Sequence, residues 1–121
     1  AGRSQSAELR LLEYADPQGR LAAETDGDPR LCWWRPLQPS VLPALLVAAG
    51  WTGVAVRDLQ PELVLWYRQL CERIAAAREA ITREFGREWY EFAASEYAGI
   101  LMMVRAGVLG GVLVRARAAG A

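Results

Sequence analysis

The 121-residue sequence contains neither histidine nor lysine. Without imidazole there is no histidine general base, no histidine-containing triad and no imidazole metal ligand. Without lysine, Schiff-base chemistry and a phosphate-loop lysine are excluded together. All fourteen basic residues are arginine, a bias that matches a GC-rich genome. Cysteine is scarce too: Cys32 and Cys71 stand alone, with no second pair for a disulfide framework or a CxxC redox motif. They read as two reduced, packed thiols in a cytoplasmic protein. No excess of charge of either sign exists, since fourteen acidic residues balance the arginines. The chain therefore lacks the field that holds a phosphate backbone, and nucleic acid is excluded as a partner. The most apolar stretch, Ala98 to Val114, carries Arg105 at its middle and is interrupted by Gly107, Gly110 and Gly111, so no membrane span is expected. No charged-then-apolar leader opens the chain, and Ala1 is not a translation start, which suits a piece of a longer protein.

What is present is a globular composition. Hydrophobic residues make up 53% and charged residues 23% of a 13.3 kDa chain, enough for one small domain with a buried core. No internal repeat or low-complexity linker interrupts it.

Leu9, Leu12 and Ala15 recur at helical spacing behind Ser6, which predicts a short helix over Ala7 to Ala15. Asp16-Pro17-Gln18-Gly19 supplies a turn, and Arg20 to Thr25 reads as a strand closed by Asp26-Gly27-Asp28-Pro29. Leu31 to Pro36 is bounded by prolines and predicts an irregular surface segment. Ser40 is placed to cap a helix over Val41 to Ala49 that Gly50 stops. Gly53 to Leu59 alternates Val54 and Val56 with Arg57, the period of a half-buried strand. Beyond Pro61 one apolar stripe runs through Leu63, Trp66, Tyr67, Leu70, Ile74, Ala77, Ile81 and Phe85, predicting a single helix over Glu62 to Phe85. Gly86 breaks it. Trp89, Phe92, Ala93, Tyr97, Ile100, Met103 and Val104 restart the spacing until Gly107, and Val108 to Arg117 reads as a last strand. The order helix, strand, helix, strand, two helices, strand predicts an α/β sheet with a helical insertion before the final strand. Residues 1–61 carry the first four elements, 62–106 the insertion and 107–121 the final strand. Three strands are few for a sheet that needs helices on both faces, so the domain looks cut at its front.

These words, in this order, resemble the C-terminal part of the class I S-adenosylmethionine-dependent methyltransferases that act on small molecules. Asp16-Pro17-Gln18-Gly19-Arg20-Leu21 is similar to the family's turn entering the fifth strand, with Gln18 where a glycine is commoner, and Glu24-Thr25 follows where that strand would end. Leu45-Leu46-Val47-Ala48-Ala49-Gly50-Trp51 resembles the family's helix end before the sixth strand, with Trp51 in place of phenylalanine. Phe85-Gly86-Arg87-Glu88-Trp89-Tyr90 and Arg105-Ala106-Gly107-Val108-Leu109-Gly110-Gly111 resemble the inserted helices and the last strand. The resemblance implies a partial Rossmann-like sheet whose last strand is antiparallel, S-adenosylmethionine as cofactor, a small-molecule methyl acceptor, and an N-terminal half or complementary chain that holds most of the cofactor site. Gly107, Gly110 and Gly111 do not supply that site, because they follow a helix and precede a strand, the reverse of the order in which a glycine-rich loop receives a nucleotide.

In the family the insertion covers the acceptor side. Trp66, Tyr67, Trp89, Tyr90 and Tyr97 are then candidate pocket walls for an apolar or cationic acceptor, though aromatics at helical spacing are also the ordinary filling of a core. Trp33 and Trp34 are adjacent in an extended segment and cannot both face one core, so one lines the site or both merely cover apolar surface. Arg35 either binds an acceptor carboxylate or pairs with Asp26 or Asp28. Glu24, expected at a strand's carboxyl end where open α/β sheets place ligands, is the acidic candidate. Met102 and Met103 read as gap-fillers between helices. Two further readings stand beside the enzyme: a non-catalytic interaction module whose amphipathic helices bury their stripe against a partner, and a decayed or split enzyme that keeps the fold without binding the donor.

Overall fold

The computed structural model describes residues 7–21 and 36–118. Three strands are present among them: β1 (Glu8–Ala15), β2 (Trp51–Asp58) and β3 (Gly110–Ala118). The helices are α1 (Leu42–Ala48), preceded by a 3-10 turn over Pro39–Val41, then α2 (Gln60–Ala76), α3 (Arg78–Phe85) and α4 (Arg87–Arg105). The chain divides into two compact units, one made of the residues up to Leu59 with those from Val108 onward, the other of Gln60–Gly107.

In the first unit the last strand lies in the middle. The sheet order is β1-β3-β2, and β3 runs antiparallel to both neighbours, with Glu8 opposite Arg117, Ala15 opposite Gly110, and Asp58 opposite Val112. Val54 and Val112 are thus both in strands, as expected. A bulge between Thr52 and Ala55 shifts the register of β2, and Gly53 sits in it at φ 60, a conformation that glycine adopts without the clash of a Cβ. Because directly opposed residues share a face, Ala15, Val112, Val114 and Val56 point the same way. They form the core with Val54 and with Leu42 and Leu46 of α1. Each fully buried valine there contributes about 1.5 to 2 kcal/mol of burial free energy.

Three expectations for this unit are corrected. Ala7 to Ala15 is not a helix: Glu8–Ala15 is the strand β1. Leu9, Leu11, Glu13 and Ala15 alternate toward one face, and the backbone groups of β1 are satisfied by β3, so the period of two prevails over the coincident spacing of Leu9, Leu12 and Ala15. The strand expected over Arg20 to Thr25 does not include its first two residues. Arg20 lies outside any strand and Leu21 has begun a helical turn, while residues 22–25 lie outside the described residues. The Asp16–Gly19 turn therefore leaves the strand β1. Finally, Ser40 does not cap α1. It belongs to the 3-10 turn, no side chain caps either start, and proline supplies the first-turn constraint at both.

The second unit is helical. Leu63 of α2 and Ala93, Leu101 and Val104 of α4 are its buried apolar positions, and α2 and α3 each pack on α4. The side-chain amide of Gln60 donates to the carbonyl of Val104, a last-turn acceptor that also takes the Gly107 N–H at 3.0 Å. The single helix expected over Glu62 to Phe85 is in fact two. Ala77 leaves helical geometry at φ −93, ψ 13, and α3 turns to pack on α4. No glycine or proline marks the break, so the pattern carried no sign of it. Gly86 ends α3 and begins α4 at φ 99, ψ 158.

Candidate functional site

The helical unit carries five of the predicted site residues, and burial sorts them into two groups. Tyr67, Tyr90 and Tyr97 are half-buried. Tyr67 follows the buried Leu63 by four, and Tyr97 stands four from Ala93 and four from Leu101, so both share the inward stripes of α2 and α4. Trp66 and Trp89 point outward, Trp89 with 50% of its surface exposed. Phe85 and Phe92 lie on the apolar stripes that the spacing predicts, yet Phe92 is 67% exposed and Phe85 is similarly open. The Gly86 break sets the rings of Phe85 and Trp89 at 5.0 Å between centroids, inclined by 32°. Phe92 stands one helical turn beyond Trp89. The result is an outward aromatic run of Phe85, Trp89 and Phe92, suited to a flat apolar or cationic group. Ring capture of a cation already occurs within the unit: the Arg78 guanidinium lies 5.6 Å from the centroid of the Tyr90 ring.

A second feature, missed in the sequence, stands at the carboxyl end of β1. Asp16 is only 2% exposed. Its Oδ1 accepts the backbone N–H of Arg20 at 2.9 Å, its own N–H donates to the Leu37 carbonyl at 2.9 Å, and its carbonyl accepts from Gly19 at 3.3 Å. The carboxylate thereby fixes the path of residues 16–20 at the strand end, where open α/β sheets place ligands. The Asp-Pro-x-Gly word is the available signal, but by spacing alone it marks a turn and no site. Gly19 holds φ 70, and a Cβ there would meet the end of the Gln38 side chain. Gln38 can swing aside, so Gly19→Ala is expected to cost about 1 kcal/mol, chiefly backbone strain, as a lower urea midpoint with unchanged m-value.

Glu24, Trp33, Trp34 and Arg35, with the alternative partners Asp26 and Asp28, lie outside the described residues. Cys71 is a free, partly buried thiol. Among the described residues no group of three metal-ligating side chains gathers, and no helix is long and apolar enough to cross a membrane.

No protein-family model matches the sequence, and no curated protein matches it. Solved structures do match. A sheet with its final strand inserted antiparallel between two others, preceded by a helical unit, is shared with methyltransferase-like folds. The chain is similar to phosphoethanolamine N-methyltransferase 2 of Haemonchus contortus, solved with phosphomonomethylethanolamine and S-adenosylhomocysteine, at a TM-score of 0.82 and 13% identity over 95% of this chain. It is also similar to the Mycobacterium tuberculosis cyclopropane synthase MmaA2, with a TM-score of 0.71 and 15% identity over 92% of this chain. The mycolic acid cyclopropane synthase CmaA1, solved with S-adenosylhomocysteine and CTAB, matches at 0.73 and 16% over 94%. The chain spans 27%, 44% and 45% of those three proteins respectively.

Proposed function

We propose that this chain is the acceptor-side, C-terminal part of an S-adenosylmethionine-dependent methyltransferase acting on a small molecule, inactive without a cofactor-binding N-terminal half. The observation that carries the reading is the β1-β3-β2 order with both pairings antiparallel, an arrangement that three methyltransferase and cyclopropane synthase structures match over nearly the whole chain. Gly107 lies between α4 and β3 while Gly110 and Gly111 open β3 itself, so their amides do not open a helix toward a bound nucleotide. The donor's grip falls to the other half.

Methyl transfer asks for alignment and exclusion of water more than for a triad. In this reading residues 62–106 form the lid over the acceptor. Trp66, Tyr67, Trp89, Tyr90 and Tyr97 are the proposed walls of that lid, and Glu24, Trp33, Trp34 and Arg35 are proposed as further acceptor-binding residues. Aromatic walls of this kind suit an apolar or cationic acceptor. The interaction-module reading is favoured by one observation, the outward run of Phe85, Trp89 and Phe92.

Calorimetric titration of the 121-residue chain with S-adenosylmethionine is expected to show no binding tighter than millimolar. A micromolar dissociation constant would overturn the division of labour between the halves. The full-length gene product, assayed against amines, phenols and prenyl acceptors, is expected to methylate at least one class. Trp89→Ala in it is expected to raise KM with little change in kcat, whereas an interaction module would show no turnover and lose partner binding instead.

A further inference from the structure

Ala93, Leu101 and Val104 turn one side of α4 into the helical unit. The opposite side carries Phe92, Ser95, Gly99 and Met102, all exposed. Phe92 and Met102 are 67% and 71% exposed, so Met102 does not fill a gap between helices as its sequence position suggests. The four residues follow the three-four-three spacing of a coiled-coil seam, large at both ends and small in the middle. Such a seam is complementary to itself when reversed. A second α4 turned end over end at the level of Tyr97 sets Phe92 against the partner's Met102 and Ser95 against the partner's Gly99, each contact occurring twice by symmetry. Phenylalanine against a thioether is a favourable contact, and the small central pair lets the two backbones approach closely enough for the outer layers to meet. Charge selects the same direction. On one flank Glu91 comes beside the partner's Arg105, again twice, while on the other Glu96 meets only its own copy. Parallel pairing would set Glu91 beside the partner's Glu96 twice and offer no opposite pair.

We infer that the protein associates with a second copy of itself through an antiparallel α4–α4 pair about a two-fold axis. Phe92 and Met102 form its two outer layers, Ser95 and Gly99 its centre, and Glu91 with Arg105 its register-setting charges. Because α4 has 19 residues, the seam is about 28 Å long. A contact that short buries less than a standard interface, so the dimer is weak, with a dissociation constant on the order of 10 to 100 μM. The inference rests on α4 alone and holds whether or not the chain serves methyl transfer. Trp89 lies to the side of the seam, and the pair does not need it.

The test is sedimentation equilibrium of the 121-residue chain over concentrations that span this constant, where a monomer–dimer equilibrium is expected. Met102→Glu, at an exposed position, is expected to keep the circular dichroism spectrum and weaken the dimer roughly tenfold or more, because it sets a carboxylate against Phe92. Glu91→Arg and Arg105→Glu are each expected to weaken it roughly fivefold, and the two together to restore it, since every like pair becomes opposite again. Glu96→Gln is expected to tighten it about twofold by removing the like charges at the axis. The charge reversals decide the matter should Met102→Glu disturb the fold. A monomer throughout, a dimer indifferent to Met102→Glu, or single reversals that the double variant does not rescue would overturn the inference. So would a full-length gene product that stays monomeric where the 121-residue chain dimerises, because the seam would then be covered by the rest of that protein.

Discussion

Val114→Asp is expected to abolish the three-stranded sheet at 25 °C. Val114 is 1% exposed at the middle of the central strand, with Leu11 opposite it on one side and Val56 on the other. Removing its side chain from the core forfeits about 2 kcal/mol of burial. A carboxylate in its place would sit among Ala15, Val112, Leu42 and Leu46, none of which offers a donor, and an unpaired charge in such a place costs several kcal/mol more. The sum rivals the whole stability of a small domain, about 5 to 15 kcal/mol. Loss of strand signal in the far-ultraviolet circular dichroism and collapse of dispersed β3 amide resonances would be the readouts. Val47→Glu, on the exposed side of α1, is expected to stay within about 0.5 kcal/mol of the parent. Equal tolerance of both changes would mean that the sheet does not hold this core.

Gly86→Val and Gly99→Ala are expected to act with opposite signs, although both replace a glycine near or in the same helix. Gly86 sits at φ 99, ψ 158, a region that only glycine occupies freely, and open space surrounds the Cβ it lacks. The penalty for valine there is therefore backbone strain alone, about 2 to 3 kcal/mol. It would also move Trp89 away from Phe85, since the break sets their separation. Gly99 lies within α4, and a methyl group there meets nothing within 4 Å. Alanine should stabilise by about 0.5 to 1 kcal/mol through helix propensity and a less flexible unfolded chain. Urea titrations followed at 222 nm, together with tryptophan fluorescence for the Phe85–Trp89 contact, would read both effects. A Gly86→Val protein as stable as its parent would show that the α3–α4 junction relaxes.

How much was legible follows the strength of each local signal. Val54, Val56 and Arg57 alternate cleanly and lie in β2; the segment from Trp89 to Val104 is helical, as its spacing requires. Glu8–Ala15 was misread because it carries two periods at once. Leu9, Leu12 and Ala15 fit a helix face, Leu9, Leu11 and Ala15 fit a strand face, and leucine and glutamate favour helices in isolation. The candidate site was legible as a set of aromatics but not as a surface. Spacing puts Trp66, Phe85, Trp89 and Phe92 on the stripes of their helices, whereas packing among α2, α3 and α4 half-buries the tyrosines and leaves these four rings outside. Helical period names a face; it does not say how wide a neighbour covers it.

By itself the sequence determined the chemistry that is missing and the points where the chain must turn. No arrangement in space can supply an imidazole or a lysine amine that the polymer lacks, and Gly50, Gly86 and Gly107 adopt positive φ because that freedom is covalent. Tertiary structure alone decided that Glu8–Ala15 is a strand, that β3 lies between β1 and β2, and that four arginines share one sheet face. Those outcomes depend on hydrogen bonds between segments 54 to 109 residues apart, whose partners are invisible to any local pattern.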